Sequence, residues 1–175
     1  MQLQNPTANQ VCSEIELIGQ YLPLENATVL ELGCGTARMT RLLAERFPIK
    51  HIIATEVDEI QHAKNLASDY PSTIEFQKGG MQAIDAPDNS IDIVFMFKSL
   101  HHVPQHLLGQ GLQEMTRVLK PGGMAWISEP VYAGEFNEIL RLFHDEKWVR
   151  EQAFVAVKAA VESGMLQLVE QIFCN

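Results

Sequence analysis

Gly33-Cys34-Gly35 is a pair of glycines around one cysteine, and Glu31 stands two positions ahead of the first glycine. A residue without a Cβ lets a ligand reach the backbone. The apolar run from Val29 to Leu32 reads as a buried strand, and Ala37 to Thr40 opens a helix. The glycines therefore mark a strand-to-helix turn, the place where α/β proteins hold nucleotide-like ligands. Glu31 lies inside an apolar strand, where a carboxylate needs a partner. The third glycine of a dinucleotide fingerprint is missing, because Gly33-Cys-Gly35 continues as Thr-Ala-Arg38. That sets an NAD-dependent dehydrogenase aside.

The turn has to be positioned by the elements around it. Thr28–Leu32, His51–Glu56, Thr73–Gln77, Ile91–Phe97 and Met124–Ser128 read as strands. Met39–Phe47, Glu59–Asp69 and His106–Lys120 carry apolar residues at helical spacing. Strands alternating with helices imply parallel βαβ units and a layered α/β sheet. Pro48, Pro71 and Pro121-Gly-Gly123 punctuate the helix ends. A further amphipathic helix is expected over Ala8–Tyr21, and a long or broken one over Glu135–Ser163. Met165–Phe173 mixes alternation with helical spacing, and the preceding Gly164 tilts it toward a strand.

The 175 residues suit a single domain (1–175), with a cap helix at 8–21, a core at 25–130 and a helical region at 134–175. Thirteen basic against 22 acidic residues give a formal charge of −9, which disfavours nucleic acid or an anionic membrane as a partner. No apolar run is long enough to span a bilayer. Cys12, Cys34 and Cys174 are widely separated and form no C-x-x-C pair. They suggest neither a disulfide framework nor a zinc site, and point to a reducing, cytoplasmic setting. His51, His62, His106 and His144 show no metal-ligand spacing, so no metal is expected.

With these pieces in order, the chain resembles the class I S-adenosylmethionine-dependent methyltransferases, in particular the small-molecule type related to ubiquinone and menaquinone biosynthesis. The resemblance runs from about Glu25 to Pro130. It rests on Val29–Gly35, Glu56, Asn89-Ser-Ile-Asp92, Leu100-His-His-Val103 and Arg117-Val-Leu-Lys-Pro-Gly-Gly123. It implies a Rossmann-like, doubly wound, mostly parallel sheet in three α/β/α layers, here with its C-terminal strands incomplete. The implied cofactor is S-adenosyl-L-methionine, converted to S-adenosyl-L-homocysteine as an O, N or C atom of a small molecule is methylated.

On that resemblance Gly33, Cys34 and Gly35 pack against the methionine and ribose portions, and Glu31 meets the methionine amino group. Glu56 accepts from the ribose hydroxyls, with Asp58 as competitor and a helix N-cap as Asp58's other role. Val57 and Phe97 complete the cofactor contacts. After the third strand, relatives often carry Gly-Asp, where this chain has Gly79-Gly80-Met81-Gln82. Gly80, Met81 and Gln82 then take the adenine by backbone, by the Gln82 amide or by packing on Met81, unless Asp85 serves. Met81 equally suits an ordinary core position. His101 is the candidate general base and His102 a weaker one, with packing or capping as the plain alternative. Glu129 and Tyr132 lie where an acceptor would bind, and Lys98 is either a substrate contact or a solvated loop cation. The incomplete sheet edge makes a second copy of the chain a candidate partner. The competing class is a non-catalytic cofactor-binding module.

Overall fold

The computed structural model describes residues 1–5, 11–132, 137, 139 and 143–174. Its elements are α1 (Glu14–Tyr21), β1 (Thr28–Leu32), α2 (Arg38–Arg46), β2 (His51–Glu56), α3 (Glu59–Leu66), β3 (Ile74–Lys78) and β4 (Ile91–Phe97). A 3-10 turn (Leu100–His102), α4 (Gln105–Val118), β5 (Leu119–Ser128) and α5 (Lys147–Glu162) complete the order. All four strand pairings are parallel, in the order β3-β2-β1-β4-β5. Starting at β1 the chain winds outward one way to β3, then returns to the centre and winds the other way through β4. The reversal falls between β1 and β4, the crevice where open α/β sheets bind ligands.

Alternation along the strands builds two cores, one on each face. Val29, Ile52, Ile93 and Phe95 pack with Ile18 of α1 and Leu43 of α2. Leu30, Leu32, Val94 and Met96 pack on the opposite face with Leu108, Leu112 and Met115 of α4 and Ala153 and Ala160 of α5. Each large apolar side chain so buried contributes about 1.5–3 kcal/mol before entropy is set against it. The result is the expected three-layer arrangement, with a sheet that does not close.

The strands at β1, β2 and β4 coincide with the sequence reading, and β3 is displaced by one residue. Three expectations are corrected. First, the helix read as reaching Lys120 stops at Val118, and β5 starts immediately at Leu119 instead of Met124. The turn of the chain is absorbed inside the strand: the β4–β5 register shifts between Ile91 and Ile93, with Gly122 at φ 79°. Second, Met165–Phe173 is not a strand. Gly164 (φ 78°) ends α5 and turns the chain back, so that the Leu166 amide donates to Ala160 O. Met165 and Leu166 then pack on the helical face of the core, away from the edge of β5. Third, Cys12 and Cys174 form a disulfide, their Cα atoms 5.8 Å apart. The two ends of the chain meet there, and Gln2 and Gln171 exchange two hydrogen bonds beside it. Sequence spacing cannot show a closure across 162 residues. It removes the reduced-cysteine argument for a cytoplasmic setting. α1 begins at Glu14, later than the expected start, while residues 8–10 of the first expected helical region and 134–136, 138, 140–142 and 175 of the second lie outside the described residues. Among the described residues no helix is long and apolar enough to cross a membrane.

Candidate functional site

The turn after β1 is wound by three left-handed residues, Gly33 (φ 73°), Gly35 (φ 54°) and Ala37 (φ 56°). A side chain at Gly33 would fall 2.9 Å from Ser99 Cβ, so this glycine is required both by backbone angle and by space. At Gly35 nothing lies within 4 Å of where a Cβ would stand, leaving an open cradle above the backbone. Ala37 carries the same conformation with a Cβ, a cost on the order of 1 kcal/mol that is typical of functional turns. The Gly33 and Cys34 amides donate to Thr55 O, which clamps the turn to the end of β2.

Two buried carboxylates flank the cradle. Glu31 is 2% exposed, and among the described residues the Thr40 hydroxyl is its donor, at 2.6 Å. Burial pushes its carboxyl up to about 7 despite that hydrogen bond. Glu56, 7% exposed, accepts from three backbone amides: Gly35 at 2.7 Å through Oε2, and Val57 and Asp58 through Oε1. A carboxylate has about four acceptor positions, so roughly one remains for a ligand hydroxyl. Asp58 is the N-cap of α3, accepting from the Ile60 and Gln61 amides. Glu56 and not Asp58 is thus the carboxylate joined to the glycine turn.

Cys34 is buried, and desolvation, Glu31 and Glu56 together push its thiol up to about 12, which keeps it protonated. Asn65 of α3, absent from the sequence reading, is buried and donates to Gly35 O at 2.8 Å and to Cys34 Sγ at 3.6 Å. An asparagine on an apparently surface helix gives no signal of this by itself; only the seating of α3 beside the turn reveals it.

Beyond β3, the Met81 side chain is buried in the core against Gly111, where any Cβ would strike it. Packing on the Met81 side chain is therefore unavailable to a ligand, and only its backbone remains. A side chain at Gly80 would fall 2.5 Å from Gln82 Oε1 and 3.0 Å from Val57 Cγ1. The Gln82 amide thus occupies the space a residue-80 side chain would fill, and the exposed Val57 lies next to it. Phe97 stacks on Phe95 at the end of β4.

The third group lies where β4 leaves the sheet. Ser99, against Gly33, donates to Leu32 O at 2.8 Å. Glu129, just past β5, accepts from the Leu100 amide and from His101 Nδ1. This orients the ring of His101, a residue 6% exposed, which packs at a tilt against the His102 ring with centroids 4.0 Å apart. Burial and the neighbouring His101 hold His102 below the usual imidazole range. His101 Nε2 faces Glu146 Oε1 at 3.9 Å. The sequence reading singled out His101 but did not bring Glu146 to it, because 45 residues separate them.

Comparison with known proteins fits this arrangement. The chain is 31% identical over 114 residues to "Sterol 24-C-methyltransferase" of Yarrowia lipolytica, covering 63% of this chain and 29% of that protein. It is 36% identical over 102 residues to "Demethylmenaquinone methyltransferase" of Desulfitobacterium hafniense, covering 55% and 40% respectively. The chain thus spans less than half the length of these curated relatives. A solved structure from Methanococcus maripaludis, described as a candidate S-adenosyl-L-methionine-dependent methyltransferase, superposes with a TM-score of 0.70 at 20% identity, over 91% of this chain and 78% of that one. At that identity it shows the fold alone. A model of the methyltransferase domain family matches residues 29–123, a span holding the glycine turn, Glu31, Glu56 and the Arg117–Gly123 string. More than half of the chain falls within that match, and the chain belongs to the methyltransferase domain family, whose cofactor is S-adenosyl-L-methionine.

Proposed function

We propose that this chain binds S-adenosyl-L-methionine over the Gly33–Gly35 turn and transfers its methyl group to an O, N or C atom of a small-molecule acceptor. The observation that carries this reading is a pair of buried carboxylates, Glu31 and Glu56, on either side of a glycine cradle with open space above Gly35. A buried carboxylate without a cationic partner is costly, and a ligand ammonium group would offset that cost at Glu31. Glu56 has about one acceptor position left for a ribose hydroxyl; a second hydroxyl would have to displace a backbone donor. The Cys34 backbone lies between them.

For the adenine end, Gln82 takes the place of the aspartate that relatives often carry. Its amide oxygen stands in the side-chain space of Gly80 and can accept from an exocyclic amine as a carboxylate would. Val57 offers an exposed apolar surface beside it, and Phe97 and the Met81 backbone are assigned to the same cofactor contacts. When bound, the cofactor supplies a methyl group on a sulfonium, so the protein's work is to align an acceptor in line and exclude water. Ser128 ends β5 with a buried hydroxyl that has no partner among the described residues, and Glu129 and Tyr132 follow it. Acceptor contacts are assigned to this end of the sheet. His101 serves here by holding Glu129 and the β4–α4 connection in place through Nδ1, so that the base role expected from sequence would fall to Nε2.

A second copy of the chain is assigned to β5, the outer strand of the sheet, whose far edge has no strand paired to it among the described residues. Light scattering after size exclusion that gives a monomer would remove this part. The main reading is tested by calorimetric titration with S-adenosyl-L-homocysteine. Saturable binding is expected; no heat at high micromolar ligand would overturn it. Binding without turnover across a broad acceptor panel would instead favour a non-catalytic module.

A further inference from the structure

We propose that His101, His102 and Glu146 form a binding site for one divalent transition-metal ion, with zinc(II) best matched to the donors. One ligand atom from each residue lies within 4.8 Å of the other two. Two histidines and one carboxylate are a common zinc set, in which the ion keeps a further position open.

The orientation of each donor supports the assignment. Glu129 engages His101 Nδ1, so Nε2 is the ring nitrogen that faces Glu146 and the one left to meet an ion. At 3.9 Å these two atoms are beyond hydrogen-bond distance, and an ion between them would draw them about a few tenths of an ångström closer. At bond lengths of about 2.0–2.2 Å and tetrahedral angles, two ligand atoms stand about 3.3–3.6 Å apart, so donors that lie within 4.8 Å of one another must close by about 1–1.5 Å at most. His102 is exposed and free to rotate that far. The carboxylate–histidine pair Glu129–His101 is the outer support that metal-bound histidines usually have.

Glu146 is similarly prepared. Arg150 holds its Oε2 at 2.5 Å, leaving Oε1 toward the imidazoles. His144 Nε2 lies 3.0 Å from that same Oε1 and is largely exposed, so it can turn to become a fourth ligand. Glu129, Glu146 and Arg150 sum to one negative charge, which a dication can enter. A cavity of about 140 Å³, lined in part by His101, His102 and Trp148, gives access. The donors come from the connection between β4 and α4 and from the start of α5, so the ion would pin these two elements together. The same connection carries Ser99 against Gly33, so one short loop touches the glycine turn at one end and supplies the two histidines at the other.

The test uses untagged full-length chain stripped with a chelator, titrated with zinc(II) by calorimetry and loaded with cobalt(II) for visible absorption. One zinc per chain is expected, together with the d–d bands of a low-coordinate cobalt site. His102→Ala and Glu146→Gln should each weaken zinc at least tenfold and abolish the cobalt bands, while Glu129→Gln should weaken zinc about 10- to 100-fold. His102 is exposed, so His102→Ala should melt like the parent and keep the test valid if Glu146→Gln folds poorly. No zinc retained by the parent chain would overturn the proposal. So would zinc bound equally by the parent and His102→Ala, since the ion would then sit elsewhere, for example on cysteine. S-adenosyl-L-homocysteine titrated into the same metal-free preparation reports separately on the methyl-transfer reading.

Discussion

The two ends of the parallel sheet treat carboxylates in opposite ways. At the amino ends of the strands, Asp92 receives the Thr28 amide at 2.8 Å and Lys120 at 2.7 Å. Nearby, Arg117 joins α4 to the loop before β4, donating to Glu114, to Asp88 and to the carbonyls of Ile84 and Ala86. Arg117, together with the Ile84 amide, holds the Glu114 carboxyl down at about 2. At the carboxyl ends, Glu31 and Glu56 are more deeply buried, yet among the described residues neither has a cation beside it. Carboxylates matched within the protein hold the fold together. Carboxylates buried without a cation cost stability, and a ligand would complete them.

Substitutions at the two ends should therefore separate binding from stability. The largest effect is expected for Gly33→Ala, which forces a Cβ to 2.9 Å from Ser99 at a left-handed φ. S-adenosyl-L-homocysteine binding should fall below detection, with about 1–3 kcal/mol of stability lost, read by calorimetry and by denaturant melts. Retained affinity would mean that the ligand lies away from this turn.

Glu56→Ala should weaken the same ligand about a hundredfold, roughly 3 kcal/mol, by removing a charge-assisted acceptor and loosening the Gly35 amide. An affinity within threefold of the parent would shift the ribose role elsewhere.

Glu31 gives a pH signature. Its carboxyl is raised from 4.5 in the unfolded chain to about 7 in the fold, so the folded state binds the extra proton. The unliganded protein should lose stability as pH rises from about 4.5 to 7, on the order of 3 kcal/mol at most. Glu31→Gln should flatten that slope, and parallel melts of parent and variant would contradict it. A ligand cation favours the ionised form, so affinity should increase with pH over the same interval in the parent alone.

The smallest effect is expected at the amino end. Asp92→Ala should cost about 1–2 kcal/mol in a denaturant melt and leave ligand affinity unchanged. Burial opposes ionisation of Asp92, but Lys120 and the Thr28 amide prevail and hold its carboxyl low. Its contribution is therefore present above the unfolded value of 3.8 and disappears as pH falls further, opposite in direction to Glu31. A change in affinity as large as that of Glu56→Ala would erase the distinction between the two ends.

Much of this was legible along the chain. Strong apolar runs marked β1, β2 and β4 because strands covered on both faces need continuous apolar residues. The glycine pair with Glu31 and Glu56 was legible because a left-handed turn and a buried carboxylate are each rare without a reason. Other parts were not. The Pro121-Gly-Gly123 string reads as a break, yet it lies inside β5, because a bulge can absorb a glycine turn without ending the pairing. Met81 looked like a ligand contact until Gly111 on α4 opened a core slot for it.

By itself the sequence determined the alternation of strand and helix, the glycine turn and the acidic residues beside it, since these depend on local periodicity and on residue types with few alternatives. Tertiary structure alone decided which distant groups meet: Asn65 on the turn, Cys12 on Cys174, and Glu146 on the histidine pair. Such contacts join residues tens of positions apart, and no local preference encodes them. They exist because burial of the two cores brings the ends of α3, α4, β5 and α5 to the same edge of the sheet.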